Sequence, residues 1–430
     1  MQLGGDLTLR VDSSIVTAAE PGHEHGFHEG TLSVDTSRMQ DLATADDRIE
    51  SAQVEILTPG ERTRIVNCLD ALQPSFKTDG ARRVFPGFLG PPSTVGRGST
   101  YRLQGMSIIS TAEFSEAQSG LLTARDAIVD MSGPGADYSP FSQLVNIAIS
   151  FSAAPHITNS DADDAIRRAL LTIGEDLAEQ CFKASPPAES RTIDIAQADN
   201  TLPSIAYLYQ VQSQGPMADT FVYGKPAGEL VPTLIHPAEI IDGALVSGVY
   251  AYSAVKNPTY FHQNNPVMWE LIDRHGTDLN FAGIVLTRGH NYTQAEKDRS
   301  AEYAAKLAAF LDVDGIVLTT EGGGNSIIDT MLACQYLEEA GIATTILHYE
   351  EPGPEGRGDP LSFSVSQADA IVSLGSYGTD LSLPAMGKVV GGETLRDGET
   401  EAAGPLDVSG LQMYCSTSQV GGNLLSGKAF

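Results

Sequence analysis

Cysteine is scarce in this chain, and its placement excludes two kinds of protein at once. Four cysteines occur in 430 residues, at 68, 181, 334 and 415, and none belongs to a C-x-x-C pair. That spacing provides neither a disulfide framework nor a zinc signature, and the expectation is a cytoplasmic protein with reduced thiols. Positive charge is also in deficit: 26 Lys and Arg face 55 Asp and Glu, a formal net charge of -29. Such a surface repels phosphate backbones and anionic lipid, so neither nucleic acid nor a membrane is expected as a partner. No apolar run approaches the length of a bilayer span. The N-terminal MQLGGDLTLRVDSS lacks a cationic segment ahead of an apolar core and does not read as a secretory signal.

What is present alternates short elements, and the expected fold class is α/β in three regions. Residues 1–105 carry β-type runs (DLTLRVDSSIV, GTLSVD, SAQVEIL, RTRIVNCL) and one short helix near Ser37 to Thr44, so an N-terminal β-rich domain is expected. Residues 106–230 form a mixed region. Its clearest element is a helix from Asp161 to about Lys183, capped by Ser160 with Asp163, and the flanking runs QLVNIAISF and SIAYLYQVQ have strand character. Residues 231–430 turn to βα alternation from about Asn280. FAGIVLT, DGIVLTT, ATTILHY and DAIVSLG are expected strands of a C-terminal parallel sheet, with helices capped by Thr293/Glu296 and Ser326/Asp329 between them. A further strand is expected around Leu411 to Thr417.

The stretch ELVPTLIHPAEIIDGALVSGVYAYSAVKNPTYFHQNNPV at 229–267 carries a D-G-A-x-x-S-G motif in Asp242, Gly243, Ala244, Ser247 and Gly248. Together with IVDMSGPGADYSPFSQ, SIAYLYQVQSQGPMADTFVYG, DGIVLTTEGGGN and LPAMGKVVG it resembles the proprotein subunit of component B of the glycine, sarcosine and betaine reductases. The resemblance implies a heteromeric enzyme. In that family an Asn-Cys bond after the motif breaks itself and yields a pyruvoyl group that activates the substrate, while a selenocysteine or cysteine of a separate subunit attacks. Here the two positions after the motif are Val249 and Tyr250. The tyrosine hydroxyl sits on a ring rather than on the β-carbon and cannot start the acyl shift. No pyruvoyl cofactor is therefore expected, with Ser253, and less so Thr259, as displaced alternatives.

The remaining chemistry falls into two groups. Around the motif, His262 has the intrinsic pKa of a general acid or base, Tyr250 offers a phenol and an aromatic face, and Asp242, Asn264 and Asn265 can hydrogen-bond a small-molecule substrate. In the βα region, the loop Glu321 to Asn325 follows a strand and opens a helix. Glu321 is its candidate catalytic group, while Gly323 and Asn325 can approach an anion. The run GHEHGFHEG, with His23, His25 and His28, reads as a solvated turn rather than a metal site. None of the four cysteines lies in an activating motif, so the nucleophile is expected from the partner subunit. The competing assignment is a noncatalytic scaffold that stabilises that partner.

Overall fold

The computed structural model describes residues 7–79, 82–114, 126–196, 199, 201–213, 219–248, 253–350, 361–376, 378–395, 398–417 and 419–422. Its largest sheet has six strands. Ser204–Val211 lies inside it, with Asn280–Arg288 on one side and Gly315–Thr320 on the other, both parallel to it. Ala343–Glu350 and Ile371–Ser376 continue the parallel order, and Thr233–Ile235 closes the opposite edge antiparallel. Burial on both faces explains the unbroken apolar and aromatic character of SIAYLYQV. Ala206 and Leu208 pack on the layer formed by helices Gln294–Phe310 and Asn325–Glu339, while Tyr207, Tyr209 and Val211 enter the main core.

The α/β expectation holds, and the βα order after residue 280 is as read. The strand SIAYLYQV, read as a strand before residue 230, pairs with strands that follow residue 280. Pairing also crosses the 105/106 boundary. Leu9–Ile15 pairs with Gly98–Gln104 and with Glu189–Ile193, and a second sheet runs in the order Ile49–Leu57, Val145–Ala153, Met106–Ala112, Cys68–Leu72. The 26-residue helix Asn159–Ala184 buries Ile166, Leu170, Ile173, Leu177 and Cys181 in the core it shares with strands of these two sheets. Thr63–Ile65 pairs in parallel with Lys388–Val390, so the C-terminal region returns to the N-terminal one.

Three local expectations are corrected. The long helix is capped by Thr158, whose hydroxyl accepts from the Asp161 N–H at 3.1 Å, rather than by Ser160. Helix Asn325–Glu339 has no side-chain cap; it opens after Gly324, at φ +60°, and the Asp329 carboxylate instead receives Lys297 Nζ at 2.8 Å and Asn291 Nδ2 at 3.0 Å. The strand expected at Leu411 to Thr417 lies earlier, at Leu406–Ser409, and is followed by a 3-10 turn at Gly410–Gln412. The buried residues of that run (Met413, Tyr414, Cys415) gave it strand-like apolarity although it makes no ladder.

Candidate functional site

The D-G-A turn is built as a brace. Helix Pro237–Ile241 ends at Asp242, and Gly243 takes φ +85° with Phe85 so close that a Cβ would lie 2.3 Å from its ring. The Asp242 carboxylate, fully buried, accepts from Lys77 Nζ at 2.9 Å, the Gly96 N–H at 2.8 Å and the Thr100 hydroxyl at 2.6 Å. These contacts tie the motif to strands Ser75–Lys77 and Gly98–Gln104. They also fill the carboxylate that sequence alone offered to a substrate.

Val249 and Tyr250 lie outside the described residues, but both flanks of that segment are held by buried charge. Lys256 Nζ, 1% exposed, donates to the Gly248 carbonyl at 2.6 Å and to the Leu69 carbonyl at 2.5 Å. Burial lowers its pKa, and the nearby Asp70 works against that shift. Asp70, raised by burial, accepts from the Thr259 N–H at 2.9 Å and its hydroxyl at 2.6 Å, and the same hydroxyl oxygen receives the Ser247 N–H at 3.0 Å. Ser253 donates its hydroxyl to the Leu411 carbonyl at 3.1 Å. Lys256 is close to the motif in sequence, whereas Asp70 was not identifiable from motif spacing because it comes from the distant strand Cys68–Leu72.

His262, in helix Thr259–Gln263, is fully buried against the central sheet. Its Nδ1 lies 2.7 Å from the Tyr209 hydroxyl. Burial and the nearby Lys256 charge push the imidazole down to about 3, so it is neutral at pH 7. Burial, with the charge of Glu321, raises the Tyr209 phenol well above its ordinary value. A phenol that keeps its proton is able to donate to Nδ1, an arrangement in which the ring proton sits on Nε2. That Nε2 is buried and has no hydrogen-bond partner among the described residues. Tyr207 stacks on Tyr209 with ring centroids 5.3 Å apart, and its hydroxyl lies 2.6 Å from Thr319 Oγ1. Asn265 caps helix Pro266–Arg274 by accepting from the Met268 N–H at 3.0 Å and donates to the Tyr207 hydroxyl, also at 3.0 Å. The tyrosines were missed in the sequence; their i, i+2 spacing near the C-terminal end of a strand was the available signal.

The Glu321 loop is adjacent in electrostatic terms, since its charge acts on both tyrosines. The Glu321 carboxylate is buried and accepts from the Gln212 N–H at 2.8 Å and the Thr220 hydroxyl at 3.1 Å. Gly322, at φ +90°, is clamped by Gln419: its N–H donates to Oε1 at 2.5 Å and its carbonyl accepts from Nε2 at 2.7 Å. A Cβ there would lie 2.2 Å from Gln212 Oε1, so only glycine fits. Gly323 and Asn325 are on the outside of this turn, the latter exposed and bonded through Nδ2 to the Asn291 carbonyl at 3.2 Å. Asn264 belongs to another surface altogether, where its Oδ1 accepts from Arg102 at 2.9 Å. The candidate residues thus divide: His262, Asn265 and Glu321 converge on the tyrosine pair, whereas Asp242, Asn264, Gly323 and Asn325 do not.

All four thiols are fully buried, and burial raises the pKa of each, that of Cys181 to about 12. None is a poised thiolate. The histidine-rich run is not uniformly solvated, which corrects the expectation. His25 is buried, with Nδ1 accepting from the Asp35 N–H at 3.1 Å and Nε2 3.8 Å from Asp176, whereas His28 is exposed. Among the described residues no group of three or more His, Cys, Asp or Glu is arranged to hold a metal, and no helix is long and apolar enough to cross a membrane.

Comparison with known proteins agrees with the resemblance over the whole chain. The family described as glycine/sarcosine/betaine reductase component B subunits matches residues 7–427. The chain is 34% identical over 438 residues to the glycine reductase complex component B subunits alpha and beta of Acetoanaerobium sticklandii, covering 99% of this chain and 100% of that protein. It is 33% identical over 394 residues to the sarcosine reductase complex component B subunit alpha of Peptoclostridium acidaminophilum, covering 90% and 89%. To the betaine reductase complex component B subunit alpha of the same organism it is 29% identical over 436 residues, covering 95% and 97%. No solved structure matches.

Proposed function

Because this chain belongs to the family of glycine/sarcosine/betaine reductase component B subunits, we propose that it is the substrate-binding subunit of a heteromeric reductase that works without a pyruvoyl group. The observation that carries this reading is the buried, neutral His262, whose Nε2 has no partner among the described residues and whose Nδ1 meets Tyr209, a phenol on which the Glu321 charge also acts. Neutral imidazole N–H groups polarise developing negative charge without the cost of a buried cation.

The family's carbonyl group does not fit these residues. Tyr250 has no heteroatom on its β-carbon, and Ser253, the nearest β-carbon hydroxyl beyond it, already donates to the Leu411 carbonyl. No step is therefore routed through a carbonyl electrophile. The substrate class that remains is a small molecule whose leaving group is already activated. A thiol or selenol of a separate subunit attacks the substrate carbon, the carbon-heteroatom bond breaks, and the leaving atom departs with the electron pair. His262 Nε2 is suited to donate a hydrogen bond to that atom, or to a carboxylate next to it. The buried thiols with raised pKa values support an external nucleophile.

The test is reconstitution with a cysteine- or selenocysteine-bearing partner and measurement of trimethylamine release from betaine, whose quaternary nitrogen is already a leaving group, with glycine and sarcosine expected to release no amine. His262→Gln and Glu321→Gln should lower turnover about 100-fold, within the range of a lost acid or electrostatic group, while assembly changes less than about twofold. Full turnover in both variants would leave a scaffold as the role of this chain.

A further inference from the structure

A second feature points to a ligand and does not depend on the His262 reading. Arg102, on strand Gly98–Gln104, is 1% exposed. Its Nη2 donates to Gln73 Oε1, to Asn264 Oδ1 at 2.9 Å and to the Gln263 carbonyl at 3.4 Å, all neutral acceptors. Its Nε is buried with no hydrogen-bond partner, and no carboxylate among the described residues bonds the guanidinium. Burial brings the group down to about 10, which still leaves it charged at neutral pH. A desolvated cation without a counter-ion is costly, and natural sites resolve that cost with an anion.

Open space exists to receive one. A cleft of about 360 Å³ lies against Arg102, with Asn264, Trp269 and Arg191 in its walls and Glu189 and Asp273 at its exposed edge. Arg191 is already paired with Asp273, so its charge is compensated. The Trp269 ring lies 5.9 Å from the Arg102 guanidinium and 4.9 Å from that of Arg191.

We propose that this cleft binds a small monocarboxylate, drawn to the Arg102 guanidinium, whose Nε has no partner among the described residues. Arg102 has no bonded counter-ion and feels the Asp242 carboxylate only at a distance, so one negative charge matches it, and a carboxylate oxygen suits an in-plane guanidinium N–H. The acidic edge disfavours a dianion such as sulfate or phosphate and favours a hydrogen-bond donor at the outer end of the ligand.

Trp269 is the sole tryptophan of the chain, so its emission reports on the cleft directly. The experiment titrates the full-length protein with sodium acetate at constant ionic strength, using chloride as the balancing salt and sulfate in a parallel series. A saturable change with acetate, a weaker response to sulfate and none to chloride are expected. Arg102→Gln should raise the half-saturating acetate concentration at least about tenfold, and Glu189→Gln, an exposed change, should lower it about two- to threefold. If Arg102→Gln does not fold, Glu189→Gln decides. An unresponsive or linear emission, equal half-saturation for sulfate, or an unchanged value in Glu189→Gln each overturns the assignment.

Discussion

Replacing Asp242 separates a brace from a substrate ligand. The carboxylate is the counter-charge of Lys77, whose side chain is 3% exposed and lies 2.9 Å away, and it also takes the Gly96 N–H and the Thr100 hydroxyl. Asp242→Asn keeps the shape and removes the charge, leaving an ammonium buried without compensation. Breaking a buried pair in this way costs about 3–5 kcal/mol, whereas removing both charges is close to neutral. Lys77→Met with Asp242→Asn should therefore recover most of the loss, so the interaction energy in the double-mutant cycle should reach at least the size of that loss, about 3 kcal/mol or more. The assay is equilibrium urea unfolding of the four proteins, read by far-UV circular dichroism, with the midpoint shift converted through a common slope. An Asp242→Asn protein within about 1 kcal/mol of wild type, but deficient in turnover, would refute the brace and return Asp242 to the substrate site.

Three further outcomes are expected. Denaturing mass spectrometry should show one species near 45.5 kDa, because Val249-Tyr250 cannot start the acyl shift; two fragments, the second reactive toward hydrazines, would establish cleavage at a displaced residue. His262 is held at about 3 in the fold against 6.5 for an ordinary imidazole, so below pH 6.5 the unfolded chain binds the additional proton. The stability gap between wild type and His262→Gln should therefore shift against the wild type by about 1.4 kcal/mol per pH unit from about pH 6.5 to 4.5, and a gap that ignores pH would contradict a buried neutral ring. His23→Ala with His28→Ala should leave urea stability unchanged, while His25→Ala loses about 1–2 kcal/mol because the Asp35 N–H is left unbonded; equal effects would show that the loop is uniformly solvated.

The fold was legible where one period dominated. The Thr293/Glu296 capping box is present, with the Glu296 carboxylate accepting the Thr293 N–H at 2.9 Å, because both halves of that signal are local. The order of strands was less legible: SIAYLYQV announces a strand, but nothing in it says that Asn280–Arg288 and Gly315–Thr320 will flank it. The site was legible in part for the same reason. His262, Asn265 and Glu321 stood out by residue type, yet Tyr209 meets His262 Nδ1 and Asp70 offsets the buried Lys256, and those partnerships span long stretches of chain. Arg102 was invisible because a lone arginine in a strand of small and polar residues ordinarily faces water.

The D-G-A-x-x-S-G motif is followed here by Val249 and Tyr250, and the geometry gives the motif a structural role of its own. Asp242 braces two strands through Lys77, Thr100 and Gly96, and Gly243 occupies a left-handed turn against Phe85. Ser247 is linked through Thr259 to Asp70, and the Gly248 carbonyl is one of two acceptors for the buried Lys256. Each of these contacts stabilises the fold whether or not the following peptide bond is ever broken. Loss of any of them leaves a buried charge or donor unsatisfied, at a cost of about 1–5 kcal/mol depending on the group. None of these contacts involves the side chain of residue 249 or 250, so a substitution there leaves the brace as it is built here. Recognition of the motif accordingly identifies the scaffold, and the reactive capacity must be read from the residues that the scaffold presents.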